Sequence, residues 1–366
     1  MVHISGAGQP TDDHGVHRGP YDFSFSCVNT YGAMEDMTTI LKHDDANVHV
    51  EELPTGKNKI YVELTNDDLF LSTKECETFY PISLIDKILN LKGPCYLCDE
   101  ILRDESPDYV QKALKYDLLG YQDEEEFKNK RLLDFGCGSG ASTMILAKMF
   151  PHTEIVGIEL EEKLLSIARL RTAYYGYKNI ELMLSPNPDS LPPGIGHFDY
   201  IILSAVYEHL LPREREPVLL QLWSILKPGG ILFLNQTPYR YFPVELHTTS
   251  GLPFINYLPD KLALFYAQYF SKRKLKNNNW NELLRGGIRG ASSKEILSIL
   301  TRCPQKPVLL SPSRFGMKDR IDLWYIQSSK VKFVMIKRLF LLSVMLLKWL
   351  TGITIVPSLS LAVKKG

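Results

Sequence analysis

From residue 130 onward, apolar runs of four to six residues alternate with stretches of helical period. The runs are RLLDF (131–135), EIVGIEL (154–160), IELML (180–184), FDYIIL (198–203) and GILFLN (230–235). Between them the spacing predicts helices over 141–150, 161–175 and 213–226. Strands that are apolar throughout, separated by helices, imply a parallel sheet buried on both faces.

The flanks read differently. Residues 1–20 are polar and read as a disordered tail. HVEEL and KIYVEL alternate within 47–71 around a turn at Pro54-Thr55-Gly56, as half-buried strands do. Pro81 opens a helix, ISLIDKILNLK, that ends at Gly93, and a second is expected over 107–119. Residues 21–120 are therefore an α+β extension before a core at 121–237. Residues 238–306 are aromatic, Pro-rich and then basic, and read as a lid or insertion over the carboxyl edge of the sheet. Residues 307–366 complete the fold with an apolar, basic helix and an alternating strand, PSLSLAVKK.

Composition narrows the function. With 45% hydrophobic and 23% charged residues in 366, the chain is globular and large enough to bury a core without disulfide or metal staples. Lys plus Arg equals Asp plus Glu, 42 each, so no nucleic-acid partner is expected. Six scattered cysteines and the absence of a secretory leader point to a reducing, cytoplasmic setting. The Cys95–Cys98 pair stands without a second CxxC, so structural thiols are expected rather than a zinc or redox site.

The sharpest motif is Asp134-Phe135-Gly136-Cys137-Gly138-Ser139-Gly140, between a strand and a helix. Such glycines permit a tight turn and let a ligand meet the backbone, and the next helix offers unpaired N–H groups. Glu159, at the end of the second strand, is placed to accept from ribose hydroxyls. The loop alone also satisfies a dinucleotide pattern. Asp134, which suits an amino group better than a pyrophosphate, and the downstream FDYII and LKPGG favour S-adenosylmethionine.

As an ordered set, DFGCGSG, IVGIEL, FDYII and LKPGG resemble the class I S-adenosylmethionine-dependent methyltransferases over 130–236. The segment KRLLDFGCGSGAST is similar to uncharacterised bacterial members. The resemblance implies an α/β, Rossmann-like sheet, mostly parallel, with an antiparallel last strand. It implies that Asp134, Phe135, Gly136, Cys137, Gly138 and Gly140 hold the methionine part of S-adenosyl-L-methionine, that Glu159 holds the ribose and that Leu160 packs on the adenine. Asn187 falls where the adenine amino group is met, with Pro188 after it, and Ser204 closes the cofactor site at the end of the fourth strand.

Methyl transfer to a hydroxyl is helped by a general base. His209, just past the fourth strand, is the first choice, and Glu208 beside it is expected to be solvated. In the lid, Arg240 suits a carboxylate or phosphate, while Glu245 and His247, two apart, share a face if extended and are the other catalytic candidates. No metal is expected. The charged run 99–105 reads as a solvated, salt-bridged face, with a polar wall of the acceptor pocket as the alternative.

The acceptor expected is a small molecule, a glycan or a lipid-linked compound, methylated on oxygen. Residues 323–366 carry seven basic residues and no acid. Within the apolar stretch 331–350 the longest charge-free run, 339–347, is nine residues, against about 20 for a membrane span. A helix over 330–350 thus either packs on the domain or lies on an anionic membrane surface. That tail also carries the alternative reading, a peripheral membrane or scaffold protein with a vestigial cofactor fold.

Overall fold

The computed structural model describes residues 38–366, apart from 67–68, 189, 246, 248, 274, 329–333, 353 and the side chains of 334 and 336. The tail expected at 1–20 lies outside the described residues.

Period-two alternation builds an antiparallel sheet of β1 (Thr38–His43), β2 (Ala46–Glu52), β3 (Asn58–Leu64) and β4 (Glu75–Thr78), in that spatial order. Val48, Val50, Ile60 and Val62 all face one side. They pack on α1 (Ile82–Lys92) and α2 (Pro94–Glu105) through Leu84, Ile85, Ile88, Leu97 and Ile101. The expected helix at 107–119 starts later, as α3 (Val110–Leu119), and α2 carries the charged run 99–105. That run is not a solvated face. Glu100 and Asp104 are buried, because the same side of α2 that carries Leu97 and Ile101 also carries them.

The second sheet holds β5 (Arg131–Phe135), β6 (Glu154–Glu159), β7 (Ile180–Leu184), β8 (Phe198–Ser204) and β9 (Leu226–Pro238). They are linked by α4 (Ala141–Met149), α5 (Glu162–Tyr175) and α6 (Pro212–Ile225). Three further helices follow, α7 (Asp260–Phe270), α8 (Trp280–Arg285) and α9 (Ser293–Leu300). The chain ends with β10 (Pro307–Leu309), α10 (Arg320–Gln327), α11 (Val334–Thr351) and β11 (Ser358–Lys365). The strand order is β10-β11-β9-β8-β5-β6-β7. Pairing is parallel from β9 to β7, and β11 runs antiparallel to both its neighbours, as its alternation implied. The apolar strands are covered on one face by α6 and α9, through Leu222, Trp223 and Ile296, and on the other by α3 and α4, through Leu118, Ile145 and Leu146. In such sheets ligands bind beyond the carboxyl ends of the strands, where the order reverses, here between β5 and β8.

Helix α11 buries Val344 beside Ile321 and Val356, and Lys337 donates to the Tyr325 carbonyl. Its other side leaves Met335, Leu339, Leu342, Leu346 and Trp349 exposed. Among the described residues no helix is long and apolar enough to cross a membrane.

Candidate functional site

The loop after β5 turns three glycines left-handed, each for its own reason. Gly136 lies against Val206, where a Cβ would come within 2.8 Å, and Gly140 lies against Ala168, at 2.7 Å. Gly138, φ +57°, has nothing within 4 Å of a Cβ position, so this part of the loop opens into the cleft. Backbone N–H groups of Gly136 and Cys137 both donate to the Ile158 carbonyl, at 2.8 and 2.9 Å, which fastens the loop to β6.

Glu159 ends β6 and completes that anchor. Its Oε2 accepts from the Gly138 N–H at 2.8 Å, and its Oε1 from Leu160 and Glu161 at 2.7 and 3.0 Å. A carboxylate has about four acceptor sites, so roughly one remains for a ligand hydroxyl. Glu159 faces a cavity of about 370 Å³ together with Phe135, Leu160, Asn187 and Pro188. A second cavity, of about 280 Å³, lies on the other side of the loop and takes in Gly138, Cys137 and Ser204. Gly136, Leu164, Ala205 and His209 line both, so the two are halves of one cleft.

Asp134 departs from expectation. It is buried, accepts from Ser142 at 2.8 Å and Thr143 at 2.7 Å, and lines neither half of the cleft. Burial raises its carboxyl, and the two hydroxyls oppose the rise. Its role here is to tie the start of α4 to β5, so it does not face an amino group directly. Cys137 packs under the loop with its sulfur 3.2 Å from a Cβ position at Gly157.

Charged side chains of the first sheet's helices enter the second half-cleft, as a polar pocket wall at 99–105 would. Lys92, Glu100 and Arg103 line it from α1 and α2. Glu100 is fixed by Arg171 of α5, which donates to it at 2.9 Å and to the Ser139 carbonyl at 2.8 Å. Arg171 thereby joins the first sheet's helices to the glycine loop. Ala205 and Gln236, at the ends of β8 and β9, hold φ of +54° and +57°. Both line this half-cleft, and non-glycine residues hold such angles only where their surroundings impose them.

His209 stands where the halves meet. Its Nδ1 lies 2.6 Å from the Arg285 carbonyl, which can only accept, so Nδ1 carries the proton and Nε2 presents a lone pair. Arg285 returns the tie by donating to the His209 carbonyl at 3.0 Å. Glu208 is not solvated. It is buried, with Oε2 accepting from Thr237 at 2.9 Å and Oε1 lacking a hydrogen-bond partner among the described residues. Burial raises its carboxyl, against the pull of His209.

His247 comes to the same place. Its Nδ1 lies 3.3 Å from the Thr249 hydroxyl, which itself donates to the Gly286 carbonyl, so this histidine too presents Nε2. Burial, and then His209, lower it to about 4. Both Nε2 atoms lie 3.9 Å from Glu208 Oε1. Three acceptors therefore converge on one point with ligand atoms within 4.8 Å of one another, an arrangement that suits a shared proton or a divalent cation. Glu245 does not join them. It accepts from Ser250 N at 2.6 Å, Ser250 Oγ at 2.8 Å and Gly251 N at 2.9 Å, and so holds its own turn. The expected Glu245–His247 pairing fails because Ser250 and Gly251 occupy the Glu245 carboxylate.

Residues 133–232 match the family model described as a methyltransferase domain. The chain is 31% identical over 163 residues to the ubiquinone biosynthesis O-methyltransferase of Coxiella burnetii, covering 44% of this chain and 64% of that one. It is 29% identical over 130 residues to the demethylmenaquinone methyltransferase of Lactococcus lactis, covering 34% and 50%. The alignments thus span between half and two thirds of these relatives. Among solved structures, PKMT2 from Rickettsia typhi aligns with 70% of this chain and 52% of its own at 15% identity and a TM-score of 0.41.

Proposed function

We propose that this chain, which carries a class I S-adenosylmethionine-dependent methyltransferase domain, methylates a hydroxyl of a small molecule, with His209 as the general base. The observation that carries the reading is the position of His209, which lines both halves of the cleft while the Arg285 carbonyl sets its tautomer.

The residues fit the cofactor. Gly138 leaves room where a side chain would fill the loop, Glu159 keeps acceptor capacity toward a ribose, and Leu160 offers an exposed apolar face beside Asn187 for a purine. S-adenosylmethionine, when bound, supplies a methyl group already activated on a sulfonium. The protein's remaining task is placement and deprotonation. Placement by the glycine loop and cleft walls is worth on the order of 7–11 kcal/mol where the geometry is good. His209 Nε2 takes the hydroxyl proton, and the Glu208 carboxylate, 3.9 Å away, offsets the charge of the imidazolium that results. Lys92 and Arg103 make their half of the cleft suited to the carboxylate of the methionine part.

The relatives' names, which concern ubiquinone biosynthesis and demethylmenaquinone, support a small-molecule acceptor. A lipid-linked acceptor accords with α11, whose exposed Leu339, Leu342, Leu346 and Trp349 recur every three or four residues beside Arg338. Such a face suits an anionic bilayer. Vesicles with anionic lipid should therefore sediment the protein at low salt, and a Leu342→Glu, Leu346→Glu variant should stay in solution. Failure of the wild-type protein to sediment removes the lipid-surface reading.

The direct test is transfer of labelled methyl from S-adenosylmethionine into a fractionated cell extract, separated into lipid, polysaccharide, protein and small-molecule pools. Label in the small-molecule or lipid pool, above a Gly138→Arg control, is expected. Label confined to polysaccharide or protein overturns the acceptor class. No label in any pool favours a vestigial cofactor fold.

A further inference from the structure

We propose that a cavity between α6, α8 and α9, separate from the methyl-transfer cleft, is a second ligand site for a small phosphomonoester that carries a ring. The cavity is about 510 Å³. Its wall faces the cleft across one short stretch of chain. Leu284 lines this cavity and Arg285, the next residue, lines the cleft.

The charge pattern identifies the ligand. Four cations line the cavity, and two of them are satisfied. Arg215 pairs with Glu295 at 3.0 Å. Arg289, buried, pairs with Asp260 at 2.9 Å and donates to the carbonyls of Asn256 and Leu258 at 2.6 Å each. Arg240 and Lys294 have no carboxylate within ion-pair distance among the described residues. Burial, and then the charge of Arg240, lower the Arg289 guanidinium, while Asp260 opposes the shift, so the Arg240 charge is felt across the cavity. Two uncompensated positive charges match a phosphomonoester, which carries about −1.5 to −2 at neutral pH, better than a single carboxylate. Arg240 offers the planar fork that binds such oxygens in pairs. Lys294 lies in the first turn of α9, whose N-terminal end adds partial positive charge.

The aromatic side of the cavity accounts for the ring. Trp280 stacks on the Arg289 guanidinium at 5.0 Å, which fixes the indole in place, and the exposed Tyr241 lines the same cavity. Tyr241 adjoins Arg240 in sequence, so phosphate and ring contacts come from one short segment after β9. Nothing in this reading depends on methyl transfer.

The test is calorimetric titration of the full chain with phenyl phosphate at low ionic strength, beside inorganic phosphate and benzenesulfonate. Saturable binding of one phenyl phosphate is expected, with each of the other two weaker by about tenfold. Arg240→Ala and Lys294→Ala should each weaken phenyl phosphate by about tenfold or more, and Arg240→Lys by less. Gly138→Arg, which fills the other cleft, should leave this binding intact. Unchanged affinity in the Arg240→Ala, Lys294→Ala double variant, or loss of binding in Gly138→Arg, overturns the assignment. Circular dichroism of each variant confirms that a loss of binding is not a loss of fold.

Discussion

Arg171 on α5 donates to the Glu100 carboxylate on α2 at 2.9 Å, and both side chains are buried. The same guanidinium reaches Tyr80 at 3.1 Å, the Glu100 carbonyl at 2.7 Å and Ser139 of the glycine loop. Removing one partner of a buried pair strands the other's charge, which typically costs about 3–5 kcal/mol. Arg171→Ala should therefore lower stability by that order in urea titration. Because Ser139 loses its anchor, binding of S-adenosylhomocysteine should weaken in the folded fraction as well. A lysine cannot reproduce the fork, so Arg171→Lys should recover only part of the loss.

Glu100 also sets an acid limit. Burial works to raise its carboxyl, but Arg171, with Lys92 and Arg103, outweighs burial and holds it at about 2. The folded value lies below the ordinary 4.5, so the stabilisation is complete above that pH and is lost as pH falls toward 2. Unfolding followed from pH 5 to pH 2 should show this loss, and Glu100→Gln should flatten the dependence while lowering stability at neutral pH.

Asp117 has the opposite sign. It is fully buried on α3, takes one hydrogen bond from Gln327 at 2.6 Å, and leaves Oδ2 without a partner among the described residues. Burial raises its carboxyl to about 7, against the hydrogen bond from Gln327. Its contribution is complete below about 3.8 and is lost as pH rises through about 7. Asp117→Asn should thus stabilise the protein at pH 8 and have little effect at pH 4. Equal effects at both would show that the carboxyl titrates normally.

Glu159 holds the glycine loop and, on the proposed reading, the ribose. Glu159→Gln keeps its size but replaces one acceptor with a donor that faces backbone N–H groups. Affinity for S-adenosylhomocysteine should fall by at least about tenfold, since each such mismatch costs about 1–3 kcal/mol. Unchanged affinity in calorimetry would remove Glu159 from the site.

His209→Ala should reduce kcat by about 10²- to 10⁴-fold, the usual worth of a positioned base, with little change in cofactor affinity. Chelation by EDTA separates the two uses of the Glu208, His209 and His247 cluster. A proton-handling cluster keeps its activity in EDTA. Activity lost to EDTA and restored by a divalent cation would reassign these three side chains as cation ligands.

The local order of this protein was readable from the chain. Continuous apolar strands, the glycines of the loop and the acid closing β6 are short-range patterns, and each must satisfy its own steric or hydrogen-bonding demand wherever it stands. The strand boundaries at 131–135 and 180–184, the helix after Pro81 and the antiparallel last strand follow from such demands. Glu159, Leu160, Asn187, Ser204 and His209 line the two halves of one cleft, because the ends of parallel strands converge on one edge.

Tertiary structure decided which polar groups are paired and which face the cleft. Glu100 and Glu208 look like surface acids in one dimension. They are buried because Arg171, 71 residues from Glu100, and Thr237, 29 residues from Glu208, reach them across the fold. His247 belongs with His209 rather than with Glu245 because a turn closed by Ser250 and Gly251 removes Glu245 from the cluster. Asp134 looks toward the start of its own following helix, not toward the cleft, once Ser142 and Thr143 are within reach. Strand and helix period are set by neighbours a few residues away. The partner that satisfies a buried charge is chosen by packing between distant segments, and no local pattern encodes it.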